Sequence, residues 1–103
     1  MKNRNTVLLN AVVATGASAS ASVLELTDHT FFILAAGVTT GATILLEASP
    51  DGSNWYLVQS VAVAVTGNTT QRIQGAFPFL RANISARTDG TYTVTLFSKK
   101  EVR

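Results

Sequence analysis

The segment from Ile44 to Val58, ILLEASPDGSNWYLV, constrains this chain more than any other, because it spells two β-strands and the turn between them. Pro50 presets φ at the entry to the turn, Asp51 has a side chain that can accept bonds from its own backbone, and Gly52 supplies the positive φ that reverses the chain. A second turn signal, Asp89-Gly90, lies between apolar runs of the same kind. Candidate strands at 6–14, 22–26, 30–36, 42–49, 54–65, 70–75, 79–87 and 91–98 are punctuated by Gly, Asp, Asn and Pro at short spacing. This pattern predicts an all-β fold, a single small antiparallel β-sandwich of jelly-roll or immunoglobulin-like type with about eight strands.

A chain of 103 residues makes one such domain, spanning 1–103 with short basic ends. It has no Cys, so no disulfide reinforces the core, and oligomerisation is the reinforcement left to a small domain. Charged residues are only 14% of the chain, which predicts a neutral, adhesive surface. The net charge of +2 comes from Lys2, Arg4, Lys99, Lys100 and Arg103; between Asn5 and Ser98 five acids outnumber three arginines. Ends this short can touch few phosphates, so no specific nucleic-acid partner is expected. Residues 1–19 carry Lys2, Arg4, an apolar stretch and Ala17-Ser-Ala19, as a secretion signal does. Asn10 interrupts the stretch, however, and a strand followed by a small-residue edge loop is the expectation. Every uncharged run is broken by Thr, Asn, Ser or Gly, so no membrane association is expected.

Taking Pro50–Ser53 as the loop of the first hairpin sets Ala48, Leu46 and Ile44 opposite Trp55, Leu57 and Gln59 as the core face. Trp55 is then a structural core residue, with Leu45, Tyr56 and Val58 outside as candidate interface residues. In Val61-Ala-Val-Ala-Val65 the valines take one face, leaving Ala62 and Ala64 on a flat outer one. A three-residue loop at 88–90, with Gly90 at a bulge, pairs Ala86, Ile84 and Ala82 with Tyr92, Val94 and Leu96 and puts Phe97 outside as a further interface candidate. Gly52 and Gly90 are structural requirements of these turns. Thr30-Phe-Phe-Ile-Leu-Ala-Ala36 is apolar on both parities, so it is either covered on both faces or meets another subunit.

No catalytic, cofactor-binding or metal site is expected. His29 is the single histidine, and Asp28, Asp51 and Asp89 sit where turns use Asp for local hydrogen bonds. Gly16-Ala-Ser18-Ala-Ser20 lacks the second glycine of a nucleophile elbow. Trp55 and Tyr56 together can form a sugar platform, since a ring stacks on the CH face of a pyranose, but the register above commits Trp55 to the core.

The Ser49-Pro-Asp-Gly-Ser-Asn-Trp55 turn, Phe79-Leu-Arg-Ala-Asn-Ile84 and Asp89-Gly-Thr-Tyr-Thr-Val-Thr-Leu96 together resemble small β-sandwich structural proteins of tailed-bacteriophage virions, of the capsid decoration or cement type. That resemblance implies a non-enzymatic protein of the virion, assembled in the host cytoplasm. It would be present in repeated copies or as a homo-oligomer, with the major capsid protein or another virion protein as partner. Lys2, Arg4, Lys99, Lys100 and Arg103 would add contacts through the basic ends. A tail or head-tail component is the nearest variant, and a carbohydrate-binding or host-attachment module is the alternative, since the same turn occurs in discoidin-like sugar-binding sandwiches.

Overall fold

A computed structural model describes residues 3–100 of the chain. They form β1 (Asn3–Val12), β2 (Gly16–Ala17), β3 (Ala21–Ser22), β4 (Asp28–Ala36), β5 (Ala42–Ser49), β6 (Tyr56–Val63), β7 (Gly67–Gln74), β8 (Phe79–Arg87) and β9 (Thr91–Lys99). One antiparallel sheet has the order β1-β9-β4-β7 and the other β2-β8-β5-β6, with β3 also paired to β8. Since β2 and β3 lie along the same neighbour, they act as one interrupted edge strand. The fold is the expected all-β sandwich, and its strand order is that of a jelly roll.

The pairs are nested. Asn3 meets Lys99, Ala17 meets Asn83, Phe32 meets Thr70 and Ala48 meets Tyr56, each pair lying on either side of Asp51 and Gly52 in the sequence. The chain is therefore one long antiparallel hairpin with its tip at 49–55, rolled up until β9 pairs β4 and β8 pairs β5.

Alternation decides what lies inside. Phe31, Ile33 and Ala35 of β4, Ile44, Leu46 and Ala48 of β5, Leu80, Ala82 and Ile84 of β8, and Tyr92, Val94 and Leu96 of β9 are all buried in a single cluster between the sheets. Each large member contributes about 2 kcal/mol of transfer free energy. Val61 and Val63 join them from β6 while Ala62 and Ala64 stay exposed, as the alternation predicts.

Four expectations are corrected. First, the tip loop is longer than the 50–53 turn: Ala48 pairs Tyr56 and Glu47 pairs Leu57, and a bulge at Val58 brings Gln59 opposite Leu46. Val58 consequently turns in against the core while Leu57 is 60% exposed, and Trp55 lies in the loop, half-buried and outside the core cluster. Second, Asp89-Gly90 is no hairpin turn, because β8 and β9 belong to different sheets and the loop carries the chain across the core. Third, only Ser22 of the 22–26 run is in a strand, the short β3. The chain then turns, with Leu26 N–H donating to the Val23 carbonyl at 3.0 Å and Glu25 at φ 74°, which sends both Val23 and Leu26 into the core. Fourth, Arg4 and Lys99 of the basic ends are part of the sandwich itself: they lie in paired strands, opposite Ser98 and Asn3. Lys2 and Arg103 lie outside the described residues.

The crossing at 88–90 is fastened to the crossing from β4 to β5 at 37–41. The Asp89 carboxylate accepts from the N–H groups of Thr39 (3.2 Å), Thr40 (3.0 Å) and Gly41 (2.9 Å), and Thr88 N–H donates to the Gly41 carbonyl. These donors, Thr40 above all, hold the Asp89 carboxyl below the usual carboxylate range. The buried Tyr92 hydroxyl donates to the Asp89 carbonyl at 2.7 Å, and burial raises its pKa. Gly90 has φ 98°, and a Cβ there would lie 2.6 Å from the Tyr92 hydroxyl oxygen and 2.9 Å from Val38. Gly52, at φ 81°, has only the Phe79 ring nearby, no closer than 3.9 Å. Gly52→Ala should therefore cost about 1–2 kcal/mol from backbone strain alone, whereas Gly90→Ala should cost about 3 kcal/mol or more because Tyr92 must also move. Chemical denaturation midpoints at constant slope check the difference; equal losses would mean the Asp89 end adapts freely.

Candidate functional site

A groove of about 550 Å³ opens at the tip-loop end of the sandwich, between the edge strand β6 and the 75–78 crossing. Tyr56, Leu57 and Val58 form one wall, Ala76, Phe77 and Pro78 the other, and Ala48, Ser49 and Pro50 lie where β5 enters the tip loop. Tyr56 is 63% exposed and Leu57 60%, so the rim is apolar and wet.

Asp51 organises the tip loop behind the groove. Its carboxylate accepts from the N–H groups of Ser53 and Asn54 (both 2.9 Å) and from the Asn54 side chain, while Ser49 Oγ accepts from Gly52 N–H at 2.8 Å. The Asn54 and Ser53 donors hold Asp51 far below the ordinary carboxylate value. An Asp in this sequence thus makes a rigid seven-residue loop, 49–55, where the spacing alone suggests a four-residue turn.

The far wall is braced from within. His29 is fully buried; its Nε2–H donates to the Gly75 carbonyl at 3.0 Å, its Nδ1 accepts from Ser98 Oγ at 2.7 Å, and Phe77 lies against its ring at a centroid distance of 5.9 Å. Burial pushes the imidazole pKa down, opposed by the Gly75 carbonyl and by Asp28. Asp28 is itself held low, first by its hydrogen bonds from Arg72.

Beside the groove, on the outer face of the five-stranded sheet, Glu47 is 9% exposed and accepts from Arg81 Nε at 2.7 Å. The Arg81 guanidinium in turn lies 4.2 Å from the centroid of the Trp55 ring. The tryptophan is pinned by a cation held by a carboxylate, so the indole expected in the core is a surface element next to Tyr56 and Leu57. Only Glu47-x7-Trp55 and the distant Arg81 signal this in the sequence, and pairing of Glu47 with Arg81 across β5 and β8 is what joins them.

Of the remaining sequence candidates, Ala62 and Ala64 are exposed on or just beyond β6, and Leu45 is half-buried on the outer face with Asn83 opposite. Phe97 is half-buried on the outer face of the other sheet. Arg4, Lys99 and Lys100 are exposed at the groove end of the molecule, where Lys99 carbonyl accepts from Thr27 N–H and Thr27 carbonyl from Gly75 N–H. Among the described residues no three His, Cys, Asp or Glu side chains gather as a metal site would require.

No family model and no curated protein sequence matches the chain. Solved structures share its fold, among them the following two. The SPBc2 prophage-derived protein YomS superposes with a TM-score of 0.62 at 15% identity, over 95% of each chain. A carbohydrate binding module of family 29 superposes with a TM-score of 0.52 at 6% identity, over 95% of this chain and 89% of the other. At such identities the likeness is one of fold.

Two outcomes test this geometry. Because folded His29 binds a proton less readily than unfolded His29, its stabilising contribution is complete above the ordinary value of 6.5 and is lost as pH falls through that value toward the lower folded one. Urea midpoints should therefore drop between about pH 7 and about pH 5, a drop that His29→Asn should flatten; Asp28, Asp51 and Asp89 act only in a lower window. In the second test, Trp55→Ala should cost only about 1 kcal/mol, while Arg81→Leu, which strands Glu47, should cost about 3 kcal/mol and shift Trp55 emission to the red. A larger loss for Trp55→Ala than for Arg81→Leu would return the indole to the core.

Proposed function

We propose that this chain is a non-enzymatic structural subunit of a bacteriophage virion, a decoration-type protein that seats on equivalent sites of the shell through the groove and rim around Tyr56 and Leu57. The observation that carries the reading is that exposed rim, apolar and uncharged, beside a groove of about 550 Å³ whose far wall is braced by His29. An extended or looped segment of the major capsid protein, or of another virion protein, would insert an apolar side chain between Tyr56 and Phe77. The exposed Arg4, Lys99 and Lys100 at the same end suit an acidic surround. Modest affinity per site suffices when sites repeat on a symmetric shell. The fold shared with a prophage-derived protein over nearly its whole length supports the phage assignment.

A second reading, a carbohydrate-binding or host-attachment module, is favoured by the pinned Trp55 beside Tyr56 and by the fold shared with a carbohydrate binding module. One pair of variants separates the two. Tyr56→Ala combined with Leu57→Lys should leave the thermal transition within about 0.5 kcal/mol of the parent, as expected for exposed positions, and should abolish occupancy on purified phage particles. Unchanged occupancy would overturn the decoration reading. Binding on a glycan array that disappears with Trp55→Ala, with particle occupancy intact, would establish the second reading instead.

A further inference from the structure

The outer face of the β1-β9-β4-β7 sheet lies on the opposite side of the molecule from Trp55. Across it, Val7, Thr95, Phe32 and Thr70 form one row, and Asn5, Phe97, Thr30 and Arg72 the next. Val7 is 58% exposed, Phe32 46% and Leu34 51%, so β4 presents large apolar side chains outward as well as inward. Phe32 stands between two hollows. One of about 520 Å³ is lined by Asn5, Thr95, Phe97 and Phe32 itself. The other, of about 340 Å³, lies on the Leu34 side and is again bounded by Phe32 and Thr95. The face is thus a knob with a matching recess beside it.

We propose that this face binds a second copy of the chain, related by a two-fold axis near Thr95, with Phe32 of each copy entering the recess between Asn5 and Phe97 of the other. A two-fold interface requires a patch that fits itself, and a knob next to its own recess does so. Phe32 would meet the partner's Phe97 within aromatic contact range.

Charge also selects this occupant. From the Val7 row to the pair of Thr91 with Ala36, the outward positions of β9 and β4 are Thr, Phe, Leu and Ala, and the charged residues Asp28, Arg72 and Lys99 gather at one end. A charged partner surface would lose its hydration here without gaining a counter-ion, whereas a second copy brings an equally neutral face. The area reaches the needed range when the whole face is engaged, charged end included: four strands spaced by ~4.8 Å, each about nine residues long at ~3.3 Å per residue, give a footprint of ~570 Å² per copy before side-chain relief, or over ~1,100 Å² in all, against the ~1,000 Å² a specific interface needs. The inference does not depend on what the groove binds.

Sedimentation equilibrium on the full chain should give twice the single-chain mass at micromolar concentration and above. Phe32→Glu should return the single-chain mass and keep a cooperative thermal transition, one that no longer rises with protein concentration as the parent's does. Because the chain has no Cys, Thr95→Cys treated with a short bis-maleimide should yield covalent pairs, while Ser60→Cys on the opposite sheet should yield none. A single-chain mass for the parent throughout that range would overturn the proposal, as would a Phe32→Glu protein that still pairs, or cross-linking at Ser60→Cys equal to that at Thr95→Cys. Each of these results leaves the particle-binding test of the groove untouched.

Discussion

The Asp89 carboxylate holds the rolled hairpin closed. The chain passes between the sheets at 37–41 and at 88–90, and one carboxylate receives three backbone N–H groups of the first crossing from its place in the second. Without it the Thr39 and Thr40 N–H groups would turn to solvent, and the part-buried Gly41 N–H would lose this partner. Tyr92 extends the same arrangement inward, its ring in the core and its hydroxyl on the Asp89 carbonyl, while Val38 N–H donates to Thr66 and brings the β6–β7 link to the same end. A sandwich without disulfides is thereby closed at one end by polar contacts, which frees the other end to carry a groove.

At the groove end the ordering has a different source. Asp51 folds the tip loop onto itself, and His29 joins the 75–78 crossing to Ser98 of β9 through paired hydrogen bonds. Phe77, which walls the groove, rests on that imidazole. The groove is consequently shaped before any partner arrives, so binding there loses little conformational entropy. The same arrangement ties its shape to the protonation of one buried ring. The proposed shell contact at the tip-loop end and the proposed contact between copies on the outer face of the β1-β9-β4-β7 sheet then occupy separate parts of one frame.

The fold class was legible because alternation and turn chemistry are local properties of the chain: the valine and alanine faces of β6, and the buried parities of β5, β8 and β9, are written in consecutive residues. Sheet membership was not. An Asp-Gly turn reads the same whether its strands pair or pass to opposite sheets, and only the nested pairing around Asp51 distinguishes them. The tip register was lost for a related reason, since Asp51 captures the N–H groups of Ser53 and Asn54 and lengthens the loop, and the bulge at Val58 then exchanges the roles of Val58 and Leu57. Trp55 was misplaced because its partner, the Arg81 guanidinium, is supplied by β8. Its approach to a buried Glu47 has no local signature. The double apolar parity of 30–36 gave two alternatives, and the structure buries Phe31 and Ile33 but leaves Phe32 and Leu34 uncovered, so the segment is not covered on both faces by the described residues.

Imaging of intact phage particles carrying this protein, at a resolution that shows strands, tests the assembly role most directly. The account predicts repeated two-fold pairs of sandwiches on the shell, joined through their β1-β9-β4-β7 faces, with the β6 rim and the 75–78 crossing against the capsid. Particles whose shell lacks these domains, or domains seated on the shell with the Tyr56 groove facing solvent, would contradict it.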